Sequence, residues 1–256
     1  DRYAYARAST LTENLDAVLD LMSDMLFNST FPQDELDKWK NQQLSVLQQV
    51  RTQPEFLATE RFIKAMYPED GRSAIAPTRE GVARITRAMV LEQYNKVYRP
   101  ERGRVTVLGD VNLKEITPKL EKLMASWSGA GSKAPELPLP QATKGRHVVL
   151  VDRPGSVQTA FYIGNHAIER LNPDYIPVQV LNRVLGGGPA SRLFRNIREE
   201  KGYTYGISSG FLATRYYNHF AAQTSVRTEV TADALREMLK EFADIRTRPV
   251  PADELQ

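Results

Sequence analysis

The sequence predicts an α+β fold in which strands and helices are mixed along the chain. In the second half, strand-like runs at 147–154, 157–165 and 210–226 are interleaved with helical patterns. Neighbouring strand runs there are spaced like hairpins, which favours an antiparallel arrangement over a doubly wound parallel sheet. Between the halves, residues 128–146 contain three prolines and three glycines with almost no periodicity, the composition of an extended linker.

The first half is predicted to be mainly helical, because its apolar residues recur at helical spacing. Thr12 is the expected N-cap of the first helix, and Pro54 is expected to close the second. The predicted helices cover residues 11–26, 31–54, 55–68, 78–100 (as two short helices) and 113–127. Alternating residues predict a strand at 2–9, and an apolar run between turn residues predicts a short buried strand at 103–111.

Composition places the 256-residue chain among ordinary globular proteins, with 41% hydrophobic and 25% charged residues. The 34 basic and 31 acidic residues are interspersed, so the net charge of +3 gives no argument for a nucleic-acid partner. No apolar window approaches the length of a membrane span, and no basic start leads into an apolar stretch. The sequence therefore predicts neither a membrane span nor a signal peptide within these residues.

Metal-ligating side chains are sparse and scattered. The chain has no cysteine, which excludes thiolate ligands, disulfides and a cysteine nucleophile. The three histidines, His147, His166 and His219, belong to no cluster with zinc-ligand spacing. The sequence therefore predicts no metal site in this chain.

A triglycine, Gly186, Gly187 and Gly188, raises the question of a phosphate-binding loop. It follows an apolar helix rather than a strand, and Pro189 removes one of the N–H groups that a phosphate needs. The alternative is a helix C-cap in which Gly186 or Gly187 takes the left-handed conformation. One glycine suffices for a cap, so the other two remain unexplained by it.

Downstream of the glycines, Arg198 is expected near the end of a short helix that Gly202 stops, and Tyr205 on the returning strand. A guanidinium and a phenol brought to one point would both donate hydrogen bonds to a carbonyl oxygen or an oxyanion. Equally, Arg198 could be a solvated helix-end cation and Tyr205 a half-buried strand aromatic. Spacing alone leaves both interpretations open.

The segment "LNRVLGGGPASRLFRNIREEKGYTYGISSGF" closely resembles the glycine loop and Arg/Tyr segment of the inverted-zincin metallopeptidases, the pitrilysin, insulysin and mitochondrial processing peptidase family. The resemblance extends over essentially the whole chain. It implies two homologous α+β domains, each a mostly antiparallel sheet packed with helices, which close like a clam shell around a peptide. Residues 1–128 would be the later part of the first domain, 129–146 the linker, and 147–256 the early part of the second, so that both are incomplete.

The resemblance also implies roles for the site residues. Arg198 and Tyr205 match the family pair that binds the substrate backbone and stabilises the tetrahedral intermediate. Gly186, Gly187 and Gly188 match the flexible loop that touches the peptide.

Zinc in this family is held by H-x-x-E-H, expected before Asp1, and by a glutamate on a later helix. That glutamate follows another by seven residues, and Gln42 and Gln49 occupy these two positions here. A neutral amide is a poor ligand for Zn²⁺. We therefore expect no cofactor in this chain and zinc on a partner chain.

Three functions are compatible with this pattern. The favoured one is a non-metal subunit that forms a heterodimer with a zinc-bearing homologue and acts with it on peptides or unfolded proteins. The second is a catalytically inactive structural or peptide-binding homologue, similar to the core proteins of respiratory complexes. The third is a complete zinc peptidase whose metal helix lies upstream. The resemblance favours the bacterial periplasm or cell envelope over the cytoplasm.

Overall fold

The computed structural model describes residues 5–68, 73–99, 103–125, 127, 145–214 and 218–255. These form eight α-helices, one π-helix and three strands. A 3-10 turn at Thr12–Asn14 leads into the first helix, and the elements are α1 Leu15–Phe27, α2 Gln33–Val50, α3 Pro54–Met66, α4 Arg79–Arg84, α5 Arg87–Val97, α6 Leu113–Met124, β1 Gln158–His166, α7 Tyr175–Leu185, the π-helix Phe194–Glu200, β2 Ile207–Ala213, β3 Asn218–Arg227 and α8 Thr231–Thr247.

The chain divides into two compact units. One contains Asp1–Leu44 with Thr78–Glu136, and the other contains Ser45–Pro77 with Leu137–Gln256. The described residues of the first unit are helical, with no strand among them. The predicted linker lies almost entirely outside the described residues, so the predicted domain boundaries stay a prediction.

In the first unit, long-range hydrogen bonds fix the helix ends. The Arg87 guanidinium donates to the carbonyl oxygens of Thr30 (2.8 Å) and Phe31 (2.9 Å), holding the turn before α2 against the start of α5. The Tyr94 hydroxyl donates to the carbonyl of Leu26, near the end of α1. The expected N-cap role of Thr12 is wrong, since Thr12 lies inside the 3-10 turn and no side chain caps α1.

The second unit is built on an antiparallel sheet with strand order β1-β3-β2. In the sheet register, Thr224 of β3 lies opposite Phe161 of β1 on one side and opposite Ile207 of β2 on the other. One sheet face packs against α7, the π-helix and α8 around a buried core of Leu185, Leu193, Ile197, Ile207, Ala222 and Met238. The α+β class predicted from the sequence is confirmed.

A buried aromatic cluster joins the C-terminal end of α3 to the start of β3. Tyr67, which is 1% exposed, accepts a hydrogen bond from the Asn218 amide (3.1 Å) and lies 3.0 Å from His219 Nδ1. His219 pairs with His166 across the sheet. Burial, and then the neighbouring His166, lowers the pKa of His219 below its ordinary value.

Three strand predictions are wrong for the described residues. Residues 5–9, 103–111 and 147–154 form no strand, and several of their apolar side chains are exposed, Leu108 being 97% accessible. An apolar run becomes a strand only when another strand satisfies its N–H and C=O groups. None of these runs has such a partner among the described residues.

Candidate functional site

The triglycine follows α7, and its first residue, Gly186, is in direct contact with β2. The Ser209 amide donates to the Gly186 carbonyl oxygen (2.9 Å), and a Cβ at Gly186 would lie 2.3 Å from Ser209 Oγ and 2.8 Å from Ser209 N. Gly186 is the C-cap residue of α7, as predicted, but the predicted left-handed conformation is wrong, since φ is −159° at Gly186 and is not positive at Gly187. Gly186 is required for close backbone approach instead.

The remaining glycines differ in how tightly they are packed. A Cβ at Gly187 would lie 2.8 Å from the Arg183 Cα, one turn back on α7. At Gly188 the nearest atom would be Arg183 Nη1, at 3.9 Å, which is ordinary contact. The Arg183 guanidinium donates to the Gly187 carbonyl (2.5 Å) and so holds the loop against its own helix. Packing thus explains why glycine is needed at Gly186 and Gly187, whereas a Cβ would fit at Gly188.

A buried amide and hydroxyl anchor the base of the loop. Asn182 Nδ2 donates to the Ser209 carbonyl (2.9 Å), and Ser209 Oγ donates to Asn182 Oδ1 (2.8 Å). Both residues are buried, and a fully satisfied buried pair of this kind fixes one register of helix against strand.

Arg198 lies on the π-helix. The Lys201 amide donates to the Asn196 carbonyl (3.0 Å), the i to i+5 bond of a π-helix, a geometry frequent at functional sites. Gly202, with φ +63°, then ends the helix, as predicted. The Arg198 side chain is 45% exposed, with its guanidinium 5.0 Å from the Phe194 ring centre and 3.8 Å from Glu199. Neither contact is strong enough to immobilise it.

The π-helix itself is held from its buried side. Asn196 Nδ2 donates to carboxylates one turn apart on α8, those of Glu237 (3.0 Å) and Glu241 (2.7 Å). The backbone that carries Arg198 is therefore fixed, while the Arg198 side chain faces solvent.

Tyr205 is 96% exposed on a turn whose backbone is held rigidly. The Thr204 hydroxyl donates to the Ser225 carbonyl (2.7 Å) and accepts from the Gly206 amide (3.1 Å). Buried Thr224 Oγ1 lies 2.9 Å from both the Thr204 hydroxyl and the Gly206 carbonyl. The phenol thus projects from a pre-organised backbone.

A cavity of about 610 Å³ opens beside Tyr205, between α3 and the sheet face opposite the core. Its lining includes Glu55, Tyr162, Tyr205, Ser208 and Gln223. Of the sequence-predicted site residues that the structure describes, only Tyr205 borders it. Convergence of Arg198 with Tyr205 on one point stays a prediction.

Gln42 and Gln49 both lie on α2 and are exposed. Among the described residues, no group of three or more His, Cys, Asp or Glu side chains could hold a metal ion. The described helices likewise include none with the length and apolar composition needed to cross a bilayer.

Sequence reasoning missed the residues that support the site: Asn182, Ser209, Thr204 and Thr224. Asn182 offered a signal, because it interrupts the apolar face of an otherwise amphipathic helix, where a polar residue needs a partner. The two threonines offered none, since hydroxyls are common in exposed and buried strands alike.

The sequence profile of the peptidase M16 inactive domain matches residues 84–256. An "uncharacterized zinc protease YmxG" from Bacillus subtilis is 26% identical over 211 residues, covering 81% of this chain and 50% of that protein. A "non-peptidase homolog YmxG" from Helicobacter pylori is 24% identical over 238 residues, covering 91% of this chain and 55% of its own length. The chain thus spans about half the length of these relatives.

Among solved structures, the peptidase M16 inactive domain from Pseudomonas fluorescens superposes with a TM-score of 0.80 at 26% identity. The match covers 95% of this chain and 59% of that one. Profile and structure agree with the family resemblance carried by the glycine loop and the segment after it. The chain belongs to the peptidase M16 inactive-domain family.

Proposed function

We propose that this chain is the non-metal part of a zinc metallopeptidase, which supplies Arg198, Tyr205 and the glycine loop to an active site whose zinc is bound by a homologous partner. The observation that carries the proposal is Tyr205, which is 96% exposed on a turn that the Thr204 and Thr224 hydroxyls hold in place. Rigid presentation of an exposed phenol serves a ligand better than it serves the fold.

In this reaction Tyr205 and Arg198 act as hydrogen-bond donors to a peptide carbonyl. A zinc ion held by the partner would supply the activated water, and the phenol and guanidinium of this chain would donate hydrogen bonds to the carbonyl oxygen as negative charge develops on it. The rigid turn matters because a donor already in position needs no reorganisation in the transition state. The glycine loop contacts the peptide, and Gly188 is the member with room to do so.

The partner is required because α2 carries Gln42 and Gln49 where the zinc-binding relatives of the family carry glutamates. Amide oxygens lack the charge that offsets removal of water from Zn²⁺. Zinc on a homologous subunit, and a periplasmic or envelope location, belong to the same proposal. Fractionation of cells that produce the full-length protein would check the location.

The test uses the full-length protein mixed with its zinc-bearing homologue. We expect Tyr205→Phe and Arg198→Ala each to lower kcat/KM for peptide cleavage by about 10²-fold, the usual effect of losing one oxyanion donor. Tyr175→Phe and Arg236→Ala change the same residue types elsewhere in the second unit and serve as controls. Association with the partner is measured in parallel, because a purely structural role would alter assembly and leave turnover per complex unchanged.

A second function is favoured by the "non-peptidase homolog" name of the Helicobacter pylori relative. In that case the chain binds peptides or a larger assembly without chemistry. Cleavage that is absent with every zinc-bearing homologue, together with retained peptide binding, would establish this function. Stoichiometric zinc in the purified full-length protein, with cleavage in the absence of a partner, would show instead that it is a complete peptidase.

A further inference from the structure

The cavity beside Tyr205 has an electrostatic character that the oxyanion role does not explain. Glu55 is the one lining residue that carries a charge at neutral pH; the others are hydroxyl, amide and apolar side chains. The pKa of Glu55 is lowered, first by the hydrogen bond from Ser225 and then by a backbone amide, with a smaller effect of Arg153. The cavity therefore presents a single negative charge.

The Glu55 carboxylate is held in place by a hydrogen bond that occupies only part of its acceptor capacity. Ser225 Oγ, on β3, donates to Glu55 Oε1 (2.6 Å), which ties the first turn of α3 to the sheet. An ionised carboxylate has about four acceptor positions, so this contact leaves room for a cationic donor. The side chain is solvent-exposed, so a ligand entering the cavity can reach it.

Aromatic surface accompanies the charge. Tyr162 and Tyr205 both line the cavity. Tyr162 is fixed, since its hydroxyl bonds Gln223 Oε1 and its ring lies 5.2 Å from that of Phe62. A guanidinium stacks on such a ring and pairs with a carboxylate at the same time.

The volume of about 610 Å³ lies in the range of small-ligand sites and exceeds the size of one side chain. A basic residue together with its neighbouring peptide bonds would fit. Ser208 and Gln223 contribute polar side chains to the lining from adjacent strands, and the Gln223 Oε1 already accepts from the Tyr162 hydroxyl.

We propose that this cavity is a subsite that selects a basic side chain, arginine above lysine, of the bound peptide. The inference rests on the proposed peptide-binding function and adds the class of residue recognised. An acidic residue is disfavoured because it would meet the Glu55 carboxylate with no cation in the lining to compensate.

Direct binding to the full-length protein, measured by fluorescence anisotropy without the partner, tests the subsite. The probes are dansylated octapeptides that differ at one central position, Arg, Lys, norleucine or Glu. We expect the Arg peptide to bind about 10-fold tighter than the norleucine peptide, in the range of a charge-assisted hydrogen bond. The preference should shrink as salt is raised.

Three variants complete the test. Glu55→Gln should abolish the preference for Arg, and Glu55→Lys should transfer it to the Glu peptide. Glu60→Gln, which changes a glutamate on α3 that pairs with Arg51 instead, should leave it intact. An unchanged preference in Glu55→Gln, or no preference in the wild-type protein, overturns the subsite.

The proposed function fails by a different outcome. If the four peptides bind equally while Tyr205→Phe still slows cleavage with the partner, the subsite is wrong and the proposed function stands. If no peptide binds and Tyr205→Phe has no effect on cleavage with the partner, the subsite and the proposed function are both wrong.

Discussion

At the scale of single residues, the side chains proposed to contact the peptide differ from the side chains that fix their backbone. Tyr205 and Arg198 make few contacts of their own, while hydrogen bonds from half-buried Thr204 and buried Thr224 and Asn196 fix the backbone that carries them. Thr204 is the clearest case, because its one hydroxyl donates to the Ser225 carbonyl on β3 and accepts from the amide of Gly206, the residue after Tyr205. The backbone position of Tyr205 is thus fixed by the hydroxyls of Thr204 and Thr224.

Thr224→Val tests this division. It removes a buried hydroxyl within 2.9 Å of two partners while keeping the shape of the side chain, so we expect a loss of about 1 to 2 kcal/mol in unfolding free energy by chemical denaturation. With the partner present, kcat should fall in the wild-type background and not in Tyr205→Phe, since the threonine acts through the tyrosine. Thr228→Val, at an exposed hydroxyl, is the control. Equal effects on kcat in both backgrounds would contradict a positioning role.

From the sequence alone, family resemblance identified Arg198, Tyr205 and the glycines as candidate site residues. Their spacing did not decide between a catalytic and a structural role. The physical reason is that Thr204, Thr224, Asn182 and Ser209 are ordinary polar residues whose importance comes from long-range pairing. A strand pattern tells which face a residue occupies and carries no information on the hydroxyl across the sheet.

At the scale of elements, the junction of α7 and β2 is controlled by backbone proximity. Gly186 sits where Ser209 leaves no room for a Cβ, and Gly187 sits over the preceding turn of α7. The Asn182 and Ser209 pair closes the contact from the buried side. This junction fixes the start of the loop and leaves space for a Cβ at Gly188, whose carbonyl oxygen accepts from the Ser191 amide (3.0 Å).

Alanine substitutions should therefore differ along the triglycine. Gly186→Ala and Gly187→Ala force backbone or buried atoms apart, so we expect each to lower the unfolding free energy by about 1 to 3 kcal/mol. Gly188→Ala should change it by less than about 0.5 kcal/mol, because the nearest atom to its Cβ is 3.9 Å away. Thermal and denaturant unfolding measure the series. A Gly188→Ala variant as unstable as Gly186→Ala would contradict the packing account.

Element prediction succeeded for the α-helices and for the paired strands of the second unit, where amphipathic spacing and burial agree, while the short helix predicted around Arg198 is a π-helix. It failed for 103–111 and 147–154, where apolar residues such as Val148 and Leu150 are exposed. Their composition matches a buried strand, yet strand formation depends on a neighbouring chain segment that local pattern does not reveal. Helices close their hydrogen bonds within themselves, which is why they were the safer prediction.

At the scale of the whole molecule, stability depends on pH through the histidine cluster. His219 is buried and its folded-state pKa lies below the ordinary 6.5, so above pH 6.5 both folded and unfolded states hold it neutral. As pH falls below 6.5, the unfolded state binds the proton first, and folding loses free energy until the folded-state pKa is reached.

Unfolding free energy measured between pH 8 and 5.5 should therefore decrease toward the acid end, by about 1.4 kcal/mol for each unit by which the two pKa values differ. His219→Gln should flatten this dependence, while His147→Gln, at an exposed histidine, should retain it. A stability that is level from pH 8 to 5.5 in the wild-type protein would contradict the assignment.

At the same scale, the chain spans about half the length of the curated relatives that it matches. The match covers 50% of the Bacillus subtilis protein and 55% of the Helicobacter pylori protein. Fold class and family follow from these residues because the core around Ile197 and Met238 is closed within them.

The loose packing at Gly188 has a practical consequence. The chain contains no cysteine, so Gly188→Cys would introduce a unique thiol at a position with no atom closer than 3.9 Å to its Cβ. A spin label or fluorophore attached there would sit on the loop expected to meet the peptide without disturbing the Asn182 and Ser209 contact behind it. The position offers a reporter for ligand arrival that is independent of any cleavage assay.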